Sequence, residues 1–140
     1  FLIEVMVPSD EMDRFNSHLK NISKLITSTL KIKKFKVQGF EDDRWVLAYL
    51  KKKLVGVMSL NSKNQLQNVC ASEYYRKKQI ADQAMSAMYK ELCKLVDSPP
   101  TLVVNNKDKN AKKMIKKYEE YGFRISQSTD KNTIFVNECN

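Results

Sequence analysis

Midway along the chain the apolar pattern changes its period, and that change restricts the fold more than any other feature of the sequence. Arg44 to Leu50 and Leu54 to Leu60 are β-rich apolar runs separated by Lys51-Lys52-Lys53, the pattern of an antiparallel hairpin with a charged turn. Gln65 to Ala71 continues them as a third strand of a meander. From about Lys78 to Val96 the period becomes helical: Ile80, Ala84, Met88, Leu92 and Leu95 share one face, while Asp82, Lys90, Glu91 and Lys94 fall elsewhere. Ser98-Pro99-Pro100 stops that helix, and Thr101 to Asn105 follows as a short apolar strand of the kind buried in a parallel pair. Strand, helix and strand in this order make a right-handed crossover.

The flanking segments fit around that unit. Leu2 to Val7 alternates weakly up to Pro8 and reads as a first strand, after which Ser9-Asp10 offers a helix N-cap. Phe15, Leu19, Ile22, Leu25, Ile26 and Leu30 form one apolar stripe, carried on one helix or on two short ones broken near Asn21. Lys31 to Lys36 is a basic connector. A second amphipathic helix after the crossover carries Ala111, Met114, Ile115, Tyr118 and Tyr121 and ends at Gly122, a residue suited to a left-handed cap. Phe123 to Ser126 and Thr133 to Val136 close the chain as strands. The order β, helices, β, β, β, α, β, α, β, β predicts an α/β (α+β) protein, a mixed sheet with helices on its faces. No repeat, linker or low-complexity tract divides residues 1–140, so one domain is expected.

Composition excludes several alternatives. With 42% hydrophobic and 29% charged residues and three each of Gly and Pro, the chain is neither disordered nor collagen-like. No apolar stretch approaches the ~20 residues of a membrane helix, and Phe1-Leu2-Ile3 lacks the flank and core of a signal peptide. A soluble, cytoplasmic protein is expected; the numbering starts at Phe1 rather than Met, which leaves a removed leader open. Cys70, Cys93 and Cys139 are odd in number and widely spaced, without a zinc pattern, so reduced thiols are the simpler expectation. His18, the sole histidine, has no partners for a metal centre or a catalytic triad and is expected at the surface. The net charge of +9 rests on 21 Lys and 4 Arg. Such a field suits phosphates or an acidic cofactor, although an AT-rich coding sequence would supply the same lysines. The scarcity of Arg and of interleaved aromatics argues against nucleic acid.

The loop leading from the meander into the long helix, Ser72-Glu73-Tyr74-Tyr75-Arg76-Lys77-Lys78-Gln79-Ile80-Ala81, is the natural anion site, because free helix amides and the helix dipole converge there.

Two segments in this order, Tyr75-Arg76-Lys77-Lys78-Gln79-Ile80-Ala81 and Tyr118-Glu119-Glu120-Tyr121-Gly122-Phe123, resemble the two signatures of the GNAT family of acetyl-CoA-dependent N-acetyltransferases. The resemblance spans nearly the whole chain and implies a GNAT-like, mostly antiparallel sheet of six to seven strands with helices on both faces. In the family the first signature is Arg or Gln, two residues, Gly, one residue, then Gly or Ala, and its amides wrap the coenzyme A pyrophosphate. Arg76 and Ala81 match it; Gln79 replaces the first Gly, and Lys77 a less essential one. Tyr118, Gly122 and Phe123 match the second signature, whose Tyr commonly protonates the leaving thiolate.

The resemblance therefore implies direct acetyl transfer from acetyl-CoA, used as a cosubstrate with no metal, to an amine acceptor. It assigns Tyr118 as the general acid. Cofactor binding falls to the backbone of Val69, Cys70 and Ala71, splayed from its parallel neighbour, to Arg76, Lys77, Lys78, Gln79, Ile80 and Ala81, and to Asn105 at the pantetheine amides. If Gln79 keeps an ordinary helical φ, its side chain can point away from the phosphates. Glu41, Asp42, Asp43 and Glu73 are carboxylates near strand ends, none singled out as the base. Cys70 lacks a histidine to activate it as a nucleophile. Acceptor selection is expected from Ile22 to Leu30 and from Phe35 to Trp45, with polycations disfavoured by the chain's own charge. Monomer and homodimer are both compatible with the sequence, no membrane partner is expected, and the alternative to an enzyme is a catalytically silent GNAT-like binding module.

Overall fold

A computed structural model describes residues 1–77 and 79–139. The element order is β1 (Leu2–Met6), α1 (Met12–Leu30), β2 (Arg44–Leu50), β3 (Lys53–Leu60), β4 (Leu66–Ala71), α2 (Glu73–Arg76), α3 (Ile80–Cys93), β5 (Thr101–Asn105), α4 (Ala111–Glu120), β6 (Arg124–Ser128) and β7 (Asn132–Val136). The strands form two antiparallel sheets, β1-β2-β3-β4 and β5-β7-β6. The parallel contact expected at the crossover is a single bridge, Gln65 to Thr101, reinforced by the Thr101 amide donating to the Asn64 carbonyl at 2.8 Å.

Helices cover both faces of the first sheet, which is why β2 and β3 are apolar along nearly their whole length. Towards α1, the residues Trp45, Leu47, Tyr49, Val57 and Cys70 pack with Phe15, Ile22, Leu25 and Ile26. Towards α3, the residues Val46, Ala48, Val55 and Met58 pack with Ala84, Met85, Met88 and Leu92, and this second core continues to Leu102, Val104, Phe123 and Phe135. Gly56 marks the closest approach of α3, since a Cβ there would stand 2.6 Å from the Met88 methyl.

Several boundaries differ from the sequence expectation. The apolar stripe runs on one uninterrupted helix, because Asn21 is exposed and costs too little to break an amphipathic helix held by Phe15, Ile22, Leu25 and Ile26. Ser9-Asp10 is not its cap; Asp10 and Glu11 turn back onto the Val7 carbonyl, and the helix starts after Glu11 without a side-chain cap. The helix expected from Lys78 to Val96 spans Ile80–Cys93 and is preceded by the single turn of α2.

Two further expectations are overturned. Cys93 and Cys139 are disulfide-bonded with their Cα atoms 5.3 Å apart, tying the end of α3 to the tail after β7 across 46 residues. The odd count hid a pairing that only the tertiary fold creates; Cys70 is the free, buried thiol. His18 is half-buried rather than on the surface, with Nδ1 2.6 Å from the Tyr49 hydroxyl and Nε2 3.2 Å from Glu4. Among the described residues no helix is long and apolar enough to cross a membrane.

Candidate functional site

The two edges of β4 are unlike. Towards β3 it is laddered, Gly56 facing Ala71, Val57 facing Cys70, Ser59 facing Gln67 and Leu60 facing Leu66. The register slips between Val57 and Ser59, so Asn68 and Val69 together oppose Met58 in a bulge. Asn68 takes a positive φ of 54° there, and its side-chain Nδ2 donates to the Ser59 hydroxyl at 3.0 Å. That fully buried hydroxyl in turn donates to the Gln67 carbonyl at 3.2 Å. Towards β5, among the described residues, no ladder follows the Gln65–Thr101 bridge, and the backbone of Val69, Cys70 and Ala71 is left facing a gap between two diverging parallel strands.

At the end of β4 the Ser72 amide closes onto the Val55 carbonyl at 2.7 Å and the chain winds through α2. Gln79 then precedes α3 with φ 62° and ψ 2°, a left-handed conformation, and its amide donates to the Arg76 carbonyl. The ordinary helical φ expected for Gln79 is therefore wrong: the backbone keeps the shape that glycine adopts freely, with a glutamine in it. Its side chain is exposed. No side chain caps α3, and the first amides of a helix have no partner within it, so those of Ile80 and Ala81 point along the axis towards the loop. Arg76 and Lys77 are exposed beside them; Lys78 lies outside the described residues.

Tyr118 approaches from α4. Its ring packs on Phe123 and Phe135 with centroids 5.9 and 5.8 Å away. The chain reverses through Gly122 at φ 96° so that the Phe123 amide reaches the Tyr118 carbonyl at 3.0 Å. Burial pushes the Tyr118 hydroxyl up to about 12, with the neighbouring Cys70 sulfur adding to it. Burial likewise pushes the Cys70 thiol up to about 12, against weaker opposing effects of Thr29 and Arg76. Both groups keep their protons at neutral pH, so Cys70 is no nucleophile.

A clasp that the sequence did not reveal joins α3 to α4. In the first turn of α3, Asp82 accepts from the Tyr121 hydroxyl at 2.5 Å and from Lys117 at 2.9 Å. Burial raises the Asp82 carboxyl, but these two partners outweigh it and hold it below the ordinary carboxylate range. Only the i, i+4 placement of Lys117 and Tyr121 hinted at a shared helix face.

The other predicted residues are not gathered at the gap. Asn105 ends β5, and its side-chain oxygen is engaged locally by the Lys107 amide at 3.0 Å. Glu41, Asp42 and Asp43 lie before β2, at the end of the sheet where β4 begins; the Glu41 carbonyl is bonded to Ser9 beside β1. Asp43 is buried with one oxygen unpartnered, and burial, then Asp42 and Glu41, raise its pKa. Only Glu73 is on the loop that leaves β4, exposed in α2. Among the described residues no three His, Cys, Asp or Glu side chains are grouped to hold a metal ion.

A family model described as an acetyltransferase (GNAT) domain matches residues 21–135. Solved structures of similar fold include Escherichia coli ElaA, at TM-score 0.69 and 17% identity over 99% of this chain and 100% of that one. The ribosomal-protein-S18-alanine N-acetyltransferase of Escherichia coli aligns at TM-score 0.69 and 13% identity over 99% and 95% of the two chains. A GNAT family acetyltransferase from Elizabethkingia anophelis, solved with acetyl-CoA bound, aligns at TM-score 0.64 and 13% identity over 97% of each. At these identities the likeness is one of fold. No curated protein matches the sequence.

Proposed function

The chain belongs to the GNAT acetyltransferase family, and on that premise we propose that residues 1–140 form one N-acetyltransferase domain moving the acetyl group of acetyl-CoA directly to an amine. The observation that carries this reading is the meeting, at one end of β4, of an unpaired strand edge and an uncapped helix start. An extended amide-bearing chain fits the first and a pyrophosphate the second.

Acetyl-CoA would bring the thioester, and the protein's part is to hold and polarise it. Amides of Ile80 and Ala81, with the charges of Arg76, Lys77 and Lys78, take the phosphates. The backbone of Val69, Cys70 and Ala71 takes the pantetheine arm; Asn105, its side chain engaged in a turn, contributes through its main chain. Tyr118 faces the departing sulfur. With its hydroxyl near 12 and an ordinary thiol near 8.5, complete proton transfer to the thiolate is uphill by roughly 5 kcal/mol. Tyr118 therefore acts as a hydrogen-bond donor to the charge growing on sulfur, and the proton follows from water. The attacking amine must be neutral, and no described carboxylate is fixed at the gap to deprotonate it.

One observation favours a module that binds without catalysis: the left-handed glutamine at position 79, where the family signature has glycine. Another bears on location. A cytoplasmic enzyme fits the role, whereas the Cys93–Cys139 bond is of a kind that is rare in reducing compartments. Thermal shift with acetyl-CoA, paired with detection of free thiol released on adding primary amines, separates the readings. At a hundred times its Kd, acetyl-CoA is expected to stabilise the fold by about 2.7 kcal/mol, with amine-dependent thiol release. Stabilisation without release identifies the silent module, and the absence of both removes the acetyl-CoA reading.

A further inference from the structure

A second cavity lies on the α1 face of the sheet, on the far side of β3 from β4, where β1 begins and β2 ends. It measures about 450 Å³, and its lining includes Leu2, Glu4, His18, Tyr49, Lys51 and Lys52. Its polar wall is one connected chain: Arg14 reaches Glu4 at 3.4 Å, Glu4 is 3.2 Å from His18 Nε2, and His18 Nδ1 is 2.6 Å from the Tyr49 hydroxyl. With Nε2 donating to the carboxylate, Nδ1 is left as the acceptor for the tyrosine proton. Arg14 is shared with Glu11, which it meets more closely at 2.7 Å, so the negative charge of Glu4 is partly matched within the wall.

The positive charge at the rim is not. Among the described residues neither Lys51 nor Lys52 forms an ion pair, and both are exposed. These two lysines are also the central residues of the two-residue turn between Leu50 and Lys53, with φ of 49° and 68°. A hairpin turn with both φ values positive is the one that Asn-Gly makes at least cost, and side chains such as lysine strain it. The sequence thus keeps two ammonium groups, at a conformational cost, on the rim of a cavity with apolar Leu2 and Leu50 in its wall.

We infer that this cavity binds a small organic anion: Lys51 and Lys52 meet its phosphate or carboxylate, and the Leu2, Leu50 and Tyr49 side chains receive its apolar body. The site is separated from the β4–β5 gap by β3 and β4 and does not depend on acetyl transfer. Because His18 is the only histidine, its ring resonance in the NMR spectrum reports on this cavity alone. Phenyl phosphate added to the intact protein is expected to shift that resonance saturably, and to do so at lower concentration than inorganic phosphate. In Lys51→Asn/Lys52→Gly the affinity should fall about tenfold or more, the scale of a lost charged contact. The same variant should melt about 2–4 °C higher, because the turn is relieved. A His18 resonance that does not saturate, a double variant that binds as the wild type does, or one that melts lower overturns the inference. Equal affinity for inorganic phosphate overturns the assignment of an apolar body.

Discussion

The two helices that flank the proposed active site differ in the loops that lead into them, although neither has a side-chain cap. Ahead of α4 the backbone donors are taken up locally: the Lys107 amide goes to the Asn105 side chain, Asp108 to the Asn105 carbonyl, and Asn110 and Ala111 to Asp108. Ahead of α3 the Tyr75, Arg76, Lys77 and Gln79 amides are taken up within the α2 turn, and among the described residues the Ile80 amide, unlike that of Ala111 at α4, has no backbone partner in the preceding loop. Lysines are distributed the other way round, with Lys107, Lys109, Lys112 and Lys113 crowding the start of α4. Charge alone would therefore favour the start of α4 for a phosphate. What makes a helix start an anion site is the availability of its amides, and that is settled by two or three loop residues.

The largest expected effect is at Tyr118, the α4 residue whose hydroxyl lies near Cys70 of β4. Tyr118→Phe should fold normally, bind acetyl-CoA, and transfer acetyl groups about 100-fold more slowly, at the low end of the range for a general acid because the hydroxyl donates a hydrogen bond without giving up its proton. The wild-type rate should show no decline from Tyr118 ionisation across the neutral range, since that group stays protonated far above it. Pre-steady-state rates, with chemistry limiting, check both; an unchanged rate would leave Tyr118 as a packing residue.

Lysines sharpen the contrast next. Lys77→Ala should weaken acetyl-CoA about fivefold, some 1 kcal/mol, and weaken acyl-pantetheine analogues without phosphates much less. Lys112→Ala with Lys113→Ala should change neither. Equal losses at both helices, measured by calorimetric titration, would mean that the field of the whole protein and not the α3 start attracts the phosphates.

Stability should respond with opposite sign at the two starts. Gln79→Gly relieves a left-handed glutamine and should raise unfolding free energy by about 1 kcal/mol or somewhat less, while tightening acetyl-CoA. Asn110→Gly, where φ is −99°, should cost a few tenths of a kcal/mol. Urea midpoints at constant m decide it, and a Gln79→Gly that destabilises would show that the glutamine is at ease in that turn.

The smallest effect concerns the clasp. Asp82 titrates below its unfolded value, so its contribution is present above about pH 4 and is lost as pH falls through the lower folded value. Its side chain is 38% exposed, and screening keeps the contribution under ~1 kcal/mol. Asp82→Asn should be slightly less stable than wild type at pH 7 and equal to it near pH 2; a constant difference across that range would rule out a charge effect.

The order of elements was legible because strand and helix periods survive in the apolar residues, from Trp45, Leu47 and Tyr49 to Ala84, Met88 and Leu92. Tyr118, Gly122 and Phe123 were legible as a helix end with its cap. The backbone of Gln79 was not, because a glutamine gives no sign of positive φ and the surrounding loop imposes it. The Asp82 clasp, the Cys93–Cys139 bond and the His18–Tyr49 contact join residues 31 to 46 positions apart, and no local pattern encodes such pairs.

The central claim is that the open edge of β4 and the open start of α3 form one cofactor site. Titrating 15N-labelled protein with acetyl-CoA and following the backbone amides tests it directly. Saturable shifts should concentrate at Val69, Cys70 and Ala71 and at Ile80, Ala81 and Asp82, all reporting one Kd, with Lys112 and Lys113 little changed. Shifts confined to the lysines of α4, or no saturable change along β4 and α3, would contradict it.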